Sequence, residues 1–380
     1  MKSYPRHSPD FLIETLGLDR LRSLAIIGMG KNAGKTTVLN HILKAIRQMK
    51  RARSVAVTSI GLDGEDEDIV TGGAKPRIYL TEGTLLATAC GSLSKCDAVI
   101  EILVLTGIHT ASGEIAIGRA RTNGYVELAG PSVASDLVTC ERFCRDIESD
   151  CLFIVDGALS RKSSAGGGLT ESAVLVAGAA NASSLEDLAA KTAQQVLLLT
   201  LPSVCSPMKK RLFEEIEENP RHRAVFLAKS DTGASTSYAE SSAQRGGAPP
   251  ENIMRTRSLP LSSIIGEGKT IAEELRYDDT ALLLRGAITD NVLEPLLSDN
   301  AFVDMALVAE DGTRFFLSDK VIQQLKQRSI ELAVLSELSL PLICVNPMRR
   351  DGTTVRREDI LDAIGSVVDI PVCELGSALV

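Results

Sequence analysis

Leu24-Ala-Ile-Ile-Gly-Met-Gly-Lys-Asn-Ala-Gly-Lys-Thr-Thr37 is the stretch that decides the fold of this 380-residue chain. Residues 25–27 form an apolar run of the kind found in buried parallel strands. Gly28, Gly30 and Gly34 then allow a tight bend that brings backbone N–H groups close to an anion. The apolar residues that follow recur at helical spacing, at Val38, Leu39, Ile42, Leu43 and Ile46. The stretch therefore predicts a strand, a glycine-rich loop and a helix that packs on the sheet.

The polar groups of this loop indicate a phosphate-binding site. Lys35 can place its ammonium group on the β- and γ-phosphates of a nucleotide, and Thr36 can offer its hydroxyl to Mg²⁺. The dipole and the free N–H groups at the start of the helix also favour phosphate. We therefore expect ATP to be bound by consecutive residues of the loop and the helix start, Gly30, Lys31, Asn32, Ala33, Gly34, Lys35, Thr36 and Thr37.

One position departs from the usual G-x-x-x-x-G-K-[ST] spacing of such loops. Counting back from Gly34 puts Met29 at the place of the first glycine, with Gly28 and Gly30 on either side. The start of the loop is therefore expected to differ from the usual form. The alternative is a strand–glycine–helix turn that binds nothing, which the ordered succession of strand, loop and amphipathic helix disfavours.

An acidic segment follows the next predicted strand. Residues 54–60 are rich in β-branched side chains, and 61–68 contain five carboxylates. A carboxylate at the carboxyl end of a strand beside the loop lies where Mg²⁺ or an attacking water is held. Asp63 is the best placed residue for that role and Glu65 the next; the alternative is a solvated acidic loop.

Cys151-Leu-Phe-Ile-Val-Asp-Gly157 has the pattern of a Walker B strand, an apolar run that ends in a carboxylate. Such a strand delivers Asp156 to the carboxyl edge of the sheet, where it can hold the Mg²⁺ shell. We therefore predict that catalysis depends on Lys35, Asp63 and Asp156. The predicted Mg²⁺ ligands are Thr36, Asp63 and Asp156.

Two further segments have possible links to a nucleotide. Residues 160–168 are rich in serine and glycine and carry Arg161 and Lys162, which suits either a switch-like loop or a surface linker. Ala228-Lys-Ser-Asp231 resembles the N-K-x-D element that reads guanine, but alanine replaces the asparagine.

Residues near 97–130 have the period-two alternation of an antiparallel insertion. The apolar runs lie at 100–105, 114–119 and 125–128, and Asn123-Gly124 is a type I′ hairpin signal between the last two. We expect these strands to extend the edge of the sheet or to form a flap. A helix is expected over 82–90 and a further buried strand over 195–200.

These segments predict an α/β protein, a P-loop NTPase with a mainly parallel sheet, an antiparallel β insertion and a second α/β unit. The P-loop NTPase domain is expected over 1–231, including the β-hairpin insertion. Residues 232–252, rich in serine, glycine and alanine, predict a flexible linker or loop. Residues 253–380 are expected to form a C-terminal α/β domain.

Composition excludes several classes of partner. The net charge is −8, aromatic residues make up 3% and tryptophan is absent, so direct nucleic-acid binding is not expected. No apolar run of membrane-spanning length and no signal peptide is visible, so we expect a cytoplasmic protein without membrane contact.

The cysteines allow two interpretations. Cys140 and Cys144 are one helical turn apart and Cys151 follows. Three neighbouring thiols of this kind would suit a metal or iron–sulfur site. No CxxC pair or neighbouring histidine accompanies them, and they share a helical apolar pattern, so reduced and buried thiols are favoured. His109 lies in a glycine-containing loop as either a site residue or an ordinary loop histidine.

Three stretches together carry a resemblance to a known family: residues 28–40, residues 59–65 and residues 156–163. They resemble the P-loop subunit of the lysine 5,6-aminomutase reactivase; the loop alone is also similar to that of the much shorter molybdopterin-guanine dinucleotide adaptor proteins. The resemblance implies an ATPase that works with a MutS-like partner to restore a B12-dependent aminomutase with damaged cobalamin. Its roles carry over to Lys35 and Thr36, and less directly to Asp63 and Asp156.

Two other functions remain open from the sequence. An ATP-dependent small-molecule kinase or ligase would need a substrate pocket between the loop after the second strand and the loop after Asp156. The residues expected to line it are Lys75, Arg77 or His109. A GTP-using metallochaperone would need guanine selectivity, against which Ala228 argues, and a metal-ligand cluster that the sequence does not display.

Overall fold

The structure is a computed structural model, and it describes residues 8–49, 53–60, 77–158, 170–229 and 254–376. The chain divides into two compact units. The first unit comprises Met1–Thr200 and Leu338–Val380, and the second comprises Leu201–Glu337. Each unit contains strands and helices around its own main sheet, which confirms the predicted α/β class.

The described strands are numbered along the chain. They are β1 (Ser23–Gly28), β2 (Val55–Ser59), β3 (Ile78–Leu80), β4 (Leu85–Ala89), β5 (Ile100–Thr110), β6 (Gly113–Ala120), β7 (Gly124–Val126), β8 (Leu152–Ala158), β9 (Ser172–Gly178), β10 (Ala224–Ala228), β11 (Arg255–Leu259), β12 (Asp279–Leu284), β13 (Ile288–Thr289), β14 (Ala306–Ala309), β15 (Phe315–Phe316), β16 (Glu331–Val334), β17 (Ser339–Asn346) and β18 (Val372–Glu374).

The described α-helices are numbered in the same way. They are α1 (Pro9–Leu16), α2 (Lys35–Arg47), α3 (Cys90–Leu93), α4 (Ala134–Ile147), α5 (Leu185–Leu199), α6 (Ser206–Glu218), α7 (Gly268–Glu273), α8 (Asp290–Leu297), α9 (Asp319–Gln327) and α10 (Arg357–Gly365). Among these helices, none is both long enough and apolar enough to cross a bilayer.

The first unit is built on a nine-stranded sheet with the order β18-β17-β9-β1-β8-β2-β4-β6-β5. All neighbours from β18 to β4 pair in parallel, whereas β6 is antiparallel to both β4 and β5. The prediction of a mainly parallel sheet is therefore confirmed. The antiparallel strands extend one edge of that sheet, which is one of the two arrangements expected for the insertion.

Helices cover both faces of this sheet. Leu24 and Ile26 of β1 belong to a core cluster with residues of α1 and α2, whereas Ala25 and Ile27 belong to a second cluster with residues of α4, α5 and α10. Because side chains alternate along a strand, these two clusters lie on opposite faces. All six residues of β1 are buried, as expected for a strand covered on both sides.

Two local predictions on the antiparallel side were wrong. Asn123-Gly124 does not join two paired strands, since β7 pairs with β3 and the β5–β6 hairpin turns at residues 111–112. A β-carbon at Gly124 would lie 2.6 Å from Ala98 N, so close packing accounts for this glycine. The helix expected over 82–90 is mainly β4, because pairing with β2 and β6 outweighs the helix propensity of its leucine and alanine residues.

The structure also divides the chain at different places from those predicted. Residues 195–199 continue α5 instead of forming a strand, because their buried side chains keep helical spacing. β9, which no sequence pattern had identified, lies beside β1, and β17 and β18 return to the same sheet from the predicted C-terminal domain. The first unit therefore ends at Thr200 and resumes at Leu338, and β10 belongs to the second unit.

The second unit has a five-stranded sheet with the order β11-β10-β12-β14-β16. β12, β14 and β16 are parallel, and β10 is antiparallel to both of its neighbours. A second α/β unit was predicted, although over different residues. One core cluster of this unit contains Val225, Leu227, Ala281, Leu283 and Val308.

A buried carboxylate joins α6 to the edge strand of the second unit. Glu215 accepts hydrogen bonds from Ser258 Oγ at 2.7 Å, from Thr256 Oγ1 at 2.7 Å and from Asn219 Nδ2 at 2.8 Å. Burial alone would raise the pKa of the Glu215 carboxyl, but these hydrogen bonds and the charge of Arg211 outweigh it and lower the pKa. The ionised form is therefore the one that the fold stabilises.

Replacing this carboxylate should make stability less dependent on pH. Glu215→Gln should destabilise the protein near neutral pH by about 1–3 kcal/mol, since an amide weakens charge-assisted hydrogen bonds. The contribution of Glu215 is present above its unfolded pKa and is lost as pH falls through its lower folded pKa. The difference in melting temperature from the wild type should therefore shrink below about pH 4.

The control is Glu217→Gln, which removes an exposed carboxylate from the same helix and should change the melting temperature little at either pH. An equally large loss of melting temperature in Glu215→Gln in acid and at neutral pH would contradict a stabilising role for the ionised carboxylate.

Candidate functional site

The glycine-rich loop, residues 28–34, joins the carboxyl end of β1 to the start of α2. Asn32 and Gly34 have left-handed backbone conformations, with φ of 58° and 103°. Alternation of such conformations directs successive N–H groups into one concave surface. α2 begins after Gly34 without a side-chain cap, so its first N–H groups add to the same surface.

Lys35 lies over the end of β1. A β-carbon at Gly28 would be 2.9 Å from both Cγ and Cδ of Lys35 and 3.3 Å from its Nζ, so only glycine leaves room for this side chain. Within the described part of the chain, Lys35 forms no ion pair. The ammonium group is thus held beside the loop and is not committed to an acidic side chain there.

The position of Met29 explains why the loop departs from the usual spacing. Its N–H donates to Val176 O at 3.0 Å and so continues the pairing of β1 with β9. Its side chain packs against the core under α5, where Thr192 Oγ1 lies 3.4 Å from the sulfur. A large apolar residue suits this position because it points into the core instead of towards a ligand.

Residues at or just after the carboxyl ends of β9 and β17 support the loop from one side of β1. A β-carbon at Gly178 would lie 2.8 Å from Ala33 Cα, so the end of β9 directly contacts the loop backbone. Asn181 Nδ2 donates to Lys31 O at 2.9 Å. Asn346 Nδ2 donates to Asn32 O at 3.4 Å.

Sequence reasoning missed this support. The available signal was the position of Asn181 and Asn346, each directly after an apolar run. Sequence patterns did not identify β9, and they assigned β17 to the C-terminal domain.

The turn after β9 is itself held in place. Arg350 Nε donates to Ala180 O at 2.7 Å, and Lys191 Nζ donates to Asn181 O at 3.4 Å and to Asp187 Oδ2 at 2.9 Å. The Ser183 N–H and the Lys191 ammonium lower the pKa of Asp187 to about 2, so this carboxylate is ionised at neutral pH. The turn is therefore an anchored element.

Asp156 is buried on the face of the sheet that α2 covers. It stands opposite Ile26 of β1 and Ser59 of β2, and it alternates with Leu152 and Ile154, which pack in the cluster under α2. The structure therefore brings this carboxylate to the same side as Lys35 and Thr36. Several other predicted residues lie outside the described residues, namely Asp63, Glu65, Lys75, Arg161, Lys162 and Asp231.

The structure engages the Arg77 side chain in other contacts and places His109 far from the loop. Arg77 forms an ion pair with Asp97 at 2.8 Å and lies over the Tyr125 ring. His109 is near the end of β5, five strand positions from β1, which corresponds to about 24 Å at the usual strand spacing. These two residues are therefore poor candidates for lining a pocket with Lys35.

The three neighbouring cysteines lie in the core beside α4, as their helical pattern predicted. Cys140, Cys144 and Cys151 are fully buried. Burial raises the pKa of all three thiols, that of Cys140 to about 12, so they remain protonated. Protonated thiols in such surroundings are chemically inert.

The site combines an amide-lined loop, an ammonium group and a buried carboxylate on one side of a sheet. Backbone amides at a helix start and an ammonium group suit a polyanion, and hydroxyl and carboxylate oxygens suit a divalent cation such as Mg²⁺. Comparison of the chain with protein-family models, with curated proteins and with solved structures found no match.

Contact between Gly178 and the loop yields a stability test. Gly178→Ala should destabilise the protein by about 1–3 kcal/mol, because the new methyl group would overlap Ala33 and displace the loop. Gly178 has φ of −108°, which alanine adopts readily, so the effect is steric. Thermal or denaturant unfolding measures the change.

Gly365→Ala is the matched control, since no atom lies within 4 Å of a β-carbon at this helical position. It should be neutral or stabilise by up to about 1 kcal/mol. Similar stabilities for the two variants would show that Gly178 does not contact the loop in solution.

Proposed function

We propose that the first unit binds Mg²⁺-ATP on the glycine-rich loop and the first turn of α2, and hydrolyses it. The observation that carries this proposal is the position of Lys35, whose side chain lies over Gly28 beside an amide-lined loop. This is the arrangement that a triphosphate tail requires, because main-chain N–H groups and one ammonium group together offset its charge. In this proposal the first unit is a P-loop NTPase.

The strand order supports this location. From β1 the chain passes to β2 on one side, returns to β8 beside β1, and continues to β9 on the other side. The direction of winding thus reverses at β1, and ligands of open α/β sheets bind beyond the carboxyl ends of strands at such a point. The loop is the connection that leaves β1 at that edge.

Thr36 and Asp156 are suited to Mg²⁺. Thr36 is in the first turn of α2 and Asp156 is buried on the face that α2 covers, so a hydroxyl and a carboxylate are supplied from two elements. Both are hard oxygen donors of the kind that Mg²⁺ prefers. Bound Mg²⁺ would neutralise charge on the β- and γ-phosphate oxygens. Asp63 stays a predicted third group.

The chain's own residues then have separate roles. The loop amides orient the phosphate tail, and Lys35 stabilises the charge that develops as the terminal phosphoryl group leaves. Lys31 and the remaining loop residues contribute further positive potential at the helix start. Positioning a water for attack is assigned to Asp63 as a prediction, since a carboxylate there can accept its proton.

The partner is proposed from the sequence resemblance. It suggests that ATP hydrolysis drives a conformational change in a MutS-like protein that restores a B12-dependent lysine 5,6-aminomutase, and that no aminomutase chemistry resides in this chain.

ATP is preferred to GTP because alanine replaces the asparagine of the guanine-reading element. A small-molecule kinase or ligase is less favoured, because His109 lies five strand positions from β1 and the Arg77 side chain is ion-paired with Asp97.

Removal of the Lys35 ammonium group tests the site directly. Lys35→Ala should weaken Mg²⁺-ATP binding by about 10–100-fold, the size of a lost charge-assisted interaction, measured by calorimetric titration. Lys44→Ala, which removes an exposed lysine from the same helix, should bind as the wild type does. Equal affinity of Lys35→Ala and the wild type would refute the site assignment.

Turnover with partners tests the proposed activity. Phosphate release from ATP should rise when the MutS-like protein and the aminomutase are added, and should exceed release from GTP. Asp156→Asn should retain much of the ATP affinity but lose at least about tenfold in turnover, because a neutral amide holds Mg²⁺ poorly.

Asp146→Asn, an exposed change on α4, serves as the control and should keep full turnover. Phosphorylation of a small molecule without any partner would favour the kinase or ligase hypothesis. Unchanged turnover in Asp156→Asn would remove this carboxylate from the mechanism.

A further inference from the structure

Two asparagine side chains hold successive carbonyl groups of the glycine-rich loop. Asn181 donates from Nδ2 to Lys31 O at 2.9 Å, and Asn346 donates from Nδ2 to Asn32 O at 3.4 Å. Asn181 follows β9 and Asn346 is the last residue of β17, and these two strands are adjacent in the sheet. Both hydrogen bonds therefore reach the loop from one side.

Planarity of the peptide bond gives these contacts a consequence for the ligand. The C=O of one residue and the N–H of the next belong to one rigid plane and point in opposite directions. Holding Lys31 O therefore fixes the direction of the Asn32 N–H, and holding Asn32 O fixes that of the Ala33 N–H. Both N–H groups are turned away from the asparagine amides.

The glycines at either end of this segment are fitted to the same two amides. A β-carbon at Gly30 would lie 2.5 Å from Asn181 Nδ2, and one at Gly34 would lie 3.1 Å from Asn346 Nδ2. The absence of these β-carbons lets each amide approach the loop backbone. Two of the loop glycines are thus explained by their asparagine neighbours as well as by backbone conformation.

The backbone conformation at Asn32 needs such support. Asn32 has φ of 58°, a left-handed conformation that is less stable for a non-glycine residue than ordinary backbone conformations. Asn181 is itself anchored, because its own carbonyl accepts from Lys191 and the neighbouring Ala180 carbonyl accepts from Arg350. A fixed donor can therefore hold the loop in a conformation that it would otherwise leave.

We infer that Asn181 and Asn346 are positioning residues that keep the N–H groups of Asn32 and Ala33 directed at the phosphate tail of the nucleotide. This inference rests on the proposed function. Neither asparagine needs to touch the nucleotide, since each acts through a loop peptide group. The ligand groups concerned are the β- and γ-phosphates, and the nucleoside is not involved.

Truncation of each asparagine tests this role by calorimetric titration with Mg²⁺-ATP and with AMP. Asn181→Ala and Asn346→Ala should each weaken ATP binding by about 2–10-fold, the net effect of one hydrogen bond. AMP affinity should change less than about twofold, because AMP lacks the β- and γ-phosphates. Asn123→Ala, a change at an asparagine whose Oδ1 accepts from Glu82 N–H, should leave both affinities unaltered.

A double-mutant cycle adds a measurement that does not depend on one variant. Gly30→Ala leaves Asn181 present but forces its amide from Lys31 O, so it should weaken ATP binding to a similar extent. Both changes break the same hydrogen bond. The double variant with Gly30→Ala and Asn181→Ala should therefore bind ATP no more weakly than the weaker-binding single variant. A loss of ATP affinity in the double variant equal to the product of the two single losses would show that the two residues do not act through one hydrogen bond.

The outcomes separate this inference from the proposed function. Unchanged ATP affinity in both asparagine variants, with loss in Lys35→Ala, would overturn the positioning role and leave the nucleotide site intact. Equal losses of ATP and AMP affinity would also overturn it, because they indicate a contact with the nucleoside or a disturbed fold. Absence of ATP binding by the wild-type protein would overturn both.

Discussion

A peptide group that turns its N–H towards an anion must turn its C=O towards another donor, and this constraint organises the first unit. The glycine-rich loop after β1 meets it with side chains from two neighbouring strands, at Lys31 O and Asn32 O. Hydrogen bonds from these anchored side chains therefore stabilise the loop in this shape. The loop and the carboxyl ends of β9 and β17 therefore form one structural element.

This dependence accounts for the way the chain is threaded. The hydrogen bonds that hold the loop span 150 and 314 residues of sequence. The second separation is so large because β17 follows the whole of the second unit along the chain. Residues 201–337 are thus inserted between two parts of one sheet. Since β17 follows directly from that insertion, folding of the loop's support requires a contact of very high sequence separation.

Sequence reasoning identified the local features and missed the distant ones. The loop, Lys35, Asp156 and the first turn of α2 are encoded within short stretches with strong periodicity, so the strand, loop and helix could be predicted. Asn181 and Asn346 act through contacts between distant segments, which no local pattern reports. Residues 195–199 form part of α5 because a short apolar run fits a buried strand and a buried helix equally well. Gly124 looked like a turn residue but is required by the approach of Ala98.

The proposed ATPase depends on loop amides that bind phosphate oxygens. The most direct measurement is the amide NMR spectrum of the full chain during titration with Mg²⁺-ATP and, separately, with adenosine. The account predicts large downfield shifts for the amides of Asn32, Ala33 and Lys35 with Mg²⁺-ATP and none with adenosine, because hydrogen bonds to phosphate deshield these protons. Saturating Mg²⁺-ATP that shifts other resonances and leaves these amides unchanged would contradict it.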